Sequence, residues 1–120
     1  PNKKDASDPW SAAAFETYEI LKRARDASGR QLDIVVMPEP NPERIRSASA
    51  DFVSSYVNYY VCNGAVIGAE FGDDRADAAA KELLQRLYPG REVISLDIDP
   101  IGEAGGGIHC ATQQQPVGTV

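Results

Sequence analysis

Tyr56-Val57-Asn58-Tyr59-Tyr60-Val61, a turn containing Asn63-Gly64, and then Ala65-Val66-Ile67-Gly68-Ala69 form the stretch on which the fold turns. Both runs are rich in aromatic and β-branched residues, and Asn-Gly tolerates the positive φ angles of a tight hairpin. Two neighbouring strands are predicted. Downstream, Asp73 is placed to cap a helix, with Ala76, Ala80, Leu83, Leu84 and Leu87 at the spacings of an inner face. Pro89-Gly90 ends that helix, and Val93-Ile94-Ser95-Leu96-Asp97-Ile98 reads as a further strand. Residues 56–98 are thereby expected to make one unit of two strands, a helix and a strand.

Upstream, Ser7-Asp8-Pro9 reads as a helix start, a capping side chain followed by Pro at the first helical position. Ala14, Phe15, Tyr18, Leu21 and Ala24 then form an apolar stripe, and Gly29 is the expected stop. Leu32-Asp33-Ile34-Val35-Val36-Met37 is a predicted strand, ended by Pro38, Pro40 and Pro42. The prolines and Arg44-Ile45-Arg46-Ser47 read as a loop. Helix, Gly29-Arg30 and strand recur about sixty residues later as helix, Gly90-Arg91 and strand, which fits a repeat. Any helix–Gly–strand unit would give the same echo.

Composition narrows the classes of function. With 42% hydrophobic and 25% charged residues in a chain of 120, a soluble domain with a modest core is expected. The net charge of −6 argues against nucleic acid or an anionic membrane as partner, since both need a concentrated cationic face. No apolar run approaches the roughly 18 residues that span a bilayer, and Pro1-Asn2-Lys3-Lys4-Asp5 lacks an apolar signal core. Two cysteines, Cys62 and Cys110, suit a reducing cytoplasm better than a disulfide scaffold. The chain opens without Met and is expected to begin inside a longer parent.

Gly105-Gly106-Gly107-Ile108-His109-Cys110 carries the chemistry. Cys110 is either a small apolar residue of a buried strand or a nucleophile that the glycines let a ligand approach closely. If the segment is extended, His109 and Cys110 point to opposite faces and cannot pair as base and nucleophile. His109 is then expected to be structural. Cys62, at the hairpin turn, is also read as structural, the Tyr56, Tyr59 and Tyr60 cluster as packing, Trp10 as a packing residue, and Asp97 and Asp99 as strand-end and turn residues. One histidine and two distant cysteines make no zinc site, and 105–107 lack the Lys-Ser/Thr of a phosphate loop.

Residues 105–116, Gly-Gly-Gly-Ile-His-Cys-Ala-Thr-Gln-Gln-Gln-Pro, resemble the C-terminal signature of agmatine deiminases and of the related Porphyromonas-type peptidylarginine deiminases. Ser55-Tyr56-Val57-Asn58-Tyr59-Tyr60, Asn63-Gly64-Ala65-Val66-Ile67, Phe71-Gly72-Asp73 and Tyr88-Pro89-Gly90-Arg91-Glu92-Val93 are similar to further family segments, in the family's order. The resemblance implies an α/β fold, part of a pentein-type propeller of ββαβ units. In it 8–37 would be the helix and strand of one repeat, 56–98 a complete repeat and 105–116 the nucleophile strand. It implies Cys110 as the nucleophile; Gly105, Gly106 and Gly107 are the backbone that a substrate is expected to approach closely, and no cofactor or metal is expected.

The activity implied is deimination of agmatine to N-carbamoylputrescine and ammonia, a step of polyamine synthesis, through a thiouronium on Cys110. Peptidyl-arginine or another guanidine is the alternative substrate. The partners implied are a cationic guanidine and the remaining N-terminal part of the parent enzyme, which would hold the catalytic histidine and the guanidinium-binding carboxylates. Association into a homo-oligomer is left open. A catalytically silent fragment or assembly module is the rival of another class.

Overall fold

The computed structural model describes residues 9–118; the expected cap at Ser7-Asp8 lies outside them. The chain divides into two compact units, Pro1–Val36 and Met37–Val120.

In the first unit, helix α1 spans Pro9–Arg23 among the described residues. The stop differs from expectation. α1 ends at Arg23, and Gly29 (φ 77°) belongs to a separate turn closed by a bridge between Arg25 and Gln31. Asp26 builds that turn, its Oδ1 accepting from the Ser28 and Arg30 N–H groups at 2.8 and 2.9 Å. The predicted strand at 32–37 is not formed. Leu32, Val35 and Val36 are exposed, and an extended segment without a neighbouring strand has no ladder to join.

The second unit contains the expected strand–strand–helix–strand arrangement. β1 (Tyr60–Cys62) pairs antiparallel with β2 (Ala65–Glu70), from Tyr60 opposite Ile67 to Cys62 opposite Ala65. The two-residue turn Asn63-Gly64 joins them, with Gly64 alone at positive φ, 78°. Helix α2 (Asp74–Leu87) crosses over to β3 (Glu92–Asp97), which lies parallel to β2, so the order is β1-β2-β3. Asp73 is the N-cap, its side chain accepting from Ala76 N–H. Of the expected inner face, Ala76, Ala80, Leu83 and Leu84 are buried, whereas Leu87, the last helical residue, is exposed. Gly68 of β2 faces α2. A Cβ there would stand 3.3 Å from Leu84 Cδ1, so the missing side chain lets the helix settle close.

Two apolar clusters hold the unit. Val66, Leu84 and Val93 form the smaller. The larger gathers Tyr56, Ala69, Phe71, Ala76, Ala80, Ile98 and Ile108. Phe71 is fully buried and has Tyr56 and Phe52 against it, with ring centroids 5.1 and 5.9 Å away. Burial of such a ring contributes about 1.5–3 kcal/mol.

Two expectations about strands are corrected here. The run at 56–61 is extended only from Tyr60 onward. Tyr56 enters the core instead, and Asn58 N–H closes a turn on Ser55 O at 3.1 Å. The segment at 105–116 is not a strand either: after a short helix α3 (Asp99–Gly102) the chain turns through Gly105 and forms a 3-10 turn (His109–Ala111).

Candidate functional site

Cys110 is presented by the 3-10 turn. Three features impose that conformation. Gly105 takes φ 78°, which reverses the chain after α3. Ile108 is buried with Tyr56 in the larger core cluster, fixing the residue two before the thiol. Ala111 N–H donates to Gly107 O at 3.3 Å and to Ile108 O at 3.2 Å, and the Thr112 N–H and hydroxyl both donate to His109 O at 3.2 Å. Anchored on one side and tied on the other, the turn leaves His109 and Cys110 exposed.

Asn58 completes the site. Its Nδ2 donates to Cys110 Sγ at 3.2 Å, and its Oδ1 accepts from His109 N–H at 2.9 Å. One carboxamide therefore bridges thiol and backbone. Gly107 makes room for it, since a Cβ there would lie 2.5 Å from the Asn58 amide carbon and nitrogen. The glycine expected to admit a ligand thus admits the Asn58 side chain. A Cβ at Gly106 would meet Cys110 at ordinary contact, 3.5 Å from Cβ and 3.9 Å from Sγ.

The electrostatics follow from these dipoles. The hydrogen bond from Asn58, then that from the Gly107 region of the backbone, holds the Cys110 thiol below its usual range, against a smaller opposing effect of burial. Donors aimed at sulfur favour the thiolate, which is the nucleophilic form. The lowering needs no charged side chain.

The expectation that His109 and Cys110 alternate across a strand does not apply to a 3-10 turn. The His109 side chain is exposed rather than packed, and what it supplies to the site is its main-chain N–H. Asn58 is a site residue that the sequence does not announce. The one available signal was a polar side chain interrupting the β-rich run 56–61, and its distance in sequence from Cys110 hides the partnership.

The other candidates have structural duties. Cys62 is half-buried, its Sγ facing Ala65 O at 3.5 Å. Asp97 and Asp99 are held by Arg46, whose Nε lies 2.6 Å from Asp99 Oδ2 and whose Nη2 lies 3.1 Å from Asp97 Oδ1. The same guanidinium donates to Glu70 O at 2.7 Å, so one loop arginine ties the ends of β2 and β3 to the start of α3. The tyrosines part ways. Tyr56 donates to Asp77 at 2.6 Å, Tyr59 pairs with Tyr88 at 2.9 Å, and Tyr60 faces Gln113 O at 3.5 Å. Trp10, expected to pack, is 84% exposed. A cleft of about 460 Å³ runs between Tyr60–Asn63 and Gln114–Pro116, just beyond the thiol-bearing turn. No cluster among the described residues could hold a metal ion, and no described helix is long and apolar enough to cross a membrane.

Comparisons with known proteins agree with one another. The sequence profile of the family described as Porphyromonas-type peptidyl-arginine deiminase matches residues 1–116. An agmatine deiminase of Pseudomonas putida is 36% identical over 128 aligned residues, covering 93% of this chain and 34% of that protein. A Streptomyces coelicolor protein, provisionally named an agmatine deiminase, is 46% identical over 116 residues, covering 96% of this chain and 33% of its own length. A crystal structure from Porphyromonas gingivalis, provisionally described as an arginine deiminase, superposes with a TM-score of 0.78 at 32% identity, over 94% of this chain and 32% of that one. The chain spans about a third of the length of the curated relatives it matches.

Proposed function

This chain belongs to the Porphyromonas-type peptidyl-arginine deiminase family, and on that premise we propose that it forms the nucleophile-bearing third of a guanidine deiminase. The single observation that carries the reading is Cys110 itself, exposed on a turn with the Asn58 amide 3.2 Å from its sulfur. The thiolate attacks the guanidinium carbon. The C–N bond to one amino group breaks, ammonia leaves with a proton from a general acid, and a thiouronium remains on sulfur. Water, deprotonated by the same group, then attacks that carbon. The C–S bond breaks, the thiolate is restored and the product is a ureido compound.

A guanidinium is planar, delocalised and cationic, so carboxylates that grip it bidentately have to bring it to the sulfur. Asp97 and Asp99 are engaged with Arg46 and do not serve. The carboxylates and the proton-shuttling histidine are placed in the two thirds of the relatives that this chain does not span. Agmatine, giving N-carbamoylputrescine and ammonia, is the favoured substrate, because relatives named agmatine deiminase align over nearly the whole chain. Peptidyl-arginine is the second reading, favoured by the name of the matching family. Two free cysteines suit a reducing, cytoplasmic setting.

The test is ammonia release from agmatine and from a blocked arginyl peptide by the parent polypeptide and its variants. Cys110→Ser is expected to abolish release, and Cys62→Ser to retain it. Equal residual rates in the two variants would remove Cys110 from the mechanism, and turnover by the 120-residue chain alone would overturn the placement of its partners elsewhere.

A further inference from the structure

The Asn58–Cys110 pair is only as good as the two backbones that bring it together. Each backbone is anchored two residues away: Tyr56 precedes Asn58, Ile108 precedes Cys110, and both anchors are buried in the same apolar cluster. The Ile108 anchor is purely apolar. The Tyr56 anchor carries a hydroxyl as well, and a phenylalanine would fill the same space without one.

The hydroxyl is committed. It donates to Asp77 Oδ1 at 2.6 Å, while the same carboxylate accepts from Phe71 N–H at 2.9 Å and Gly72 N–H at 3.0 Å. Asp77 sits in the first turn of α2, so one side chain joins the helix start, the end of β2 and the turn at 55–58. Burial, then the hydrogen bond to Asp77 and the Asp77 charge, with a smaller effect of Asp73, raise Tyr56 far above the usual phenol range, so its O–H stays a donor. The turn is short and closed by its own bond from Asn58 N–H to Ser55 O. A displacement at Tyr56 therefore passes directly to Asn58.

We propose that the Tyr56 hydroxyl, bound to Asp77, is the tether that holds the Asn58 carboxamide on the Cys110 sulfur. Tyr56 and Asp77 are positioning residues: neither touches the thiol, and both act through Asn58. The proposal takes Cys110 as the reactive thiol of the preceding section, but its readout is the thiol alone. Failure of guanidine turnover would sink the deiminase reading and leave the tether standing.

The groups facing the sulfur are the Asn58 amide and the main chain of the 107–110 turn, so a shift in its titration reports on them. The experiment measures alkylation of Cys110 by iodoacetamide against pH in the intact chain, with Cys62 in the same sample as the internal reference. Asn58→Ala is expected to raise the pH midpoint of Cys110. Tyr56→Phe is expected to raise it too, by a thiolate loss of roughly threefold, the scale of one weakened neutral hydrogen bond. The double variant is expected to go no further than Asn58→Ala, because the two act along one path. A Tyr56→Phe midpoint equal to the unaltered chain's, with Asn58→Ala shifted, would overturn the tether, as would full additivity. Should Tyr56→Phe expose Cys62 and so prove unfolded, Asp77→Ala decides instead. It removes the acceptor of the hydroxyl, so the midpoint is expected to rise, and an unmoved midpoint there also overturns the proposal.

Discussion

Helices α1 and α2 carry comparable apolar stripes, yet they end in opposite circumstances. α2 buries Ala76, Ala80, Leu83 and Leu84, whereas α1 buries no residue and leaves Ile20 54% exposed. The segments that follow differ in the same way. Val93-Ile94-Ser95-Leu96 pairs with β2 along its whole length, while the similarly apolar run at 32–37 pairs with nothing among the described residues. What separates the two regions is a neighbouring strand. The hairpin 60–70 gives α2 a surface to cover and β3 an edge to join, and most helical stability in proteins comes from such packing rather than from propensity.

This contrast can be broken most directly through stability. Phe71→Ala should cost about 3–5 kcal/mol, because it empties a fully buried site. Ile20→Ala in α1 should change stability by less than about 0.5 kcal/mol. Denaturant unfolding of the two variants checks both, and comparable losses would show that α1 is buried in the protein in solution.

Ion pairs extend the comparison at a smaller scale. Arg46 reaches Asp97, Asp99 and Glu70 O, across three elements of the second unit. Arg30 reaches only Asp26, four residues away in its own turn. Arg46→Met is expected to lower stability by about 1 kcal/mol, in a salt-dependent manner. Arg30→Met is expected to leave the thermal midpoint within error. Equal effects would mean that the long-range reach of Arg46 confers nothing beyond a local pair.

The smallest expected effect concerns acid. Asp73 is held below its ordinary pKa of 3.8, first by Asn41 N–H, which lies 3.0 Å from its Oδ2, and further by Ala76 N–H and Arg44. A depressed carboxylate adds stability that is fully present above the unfolded value and fades as pH falls through the folded one. Asp73→Asn should therefore flatten the decline in stability below about pH 4. Asp26, lowered chiefly by Arg30 N–H and its side chain, belongs to the unit in which no described residue is buried, so Asp26→Asn should leave that decline unchanged. The same acid slope in both variants would erase the distinction.

Several local features were legible from the residues alone because the interactions that fix them are local. Asn63-Gly64 turns β1 into β2, Asp73 caps α2, and Pro89-Gly90 precedes β3. The order of strands and helix in the second unit follows from those signals. The tertiary structure decided what depends on partners distant in the chain. It drew Tyr56 into the core and so shortened β1. It left 32–37 without a ladder, and it curled the expected strand around Cys110 into a 3-10 turn. It also joined Asn58 to a sulfur fifty-two residues later. Sequence periodicity records which face a segment would bury. It carries no record of which distant side chain donates a hydrogen bond, and at Cys110 that donor is Asn58.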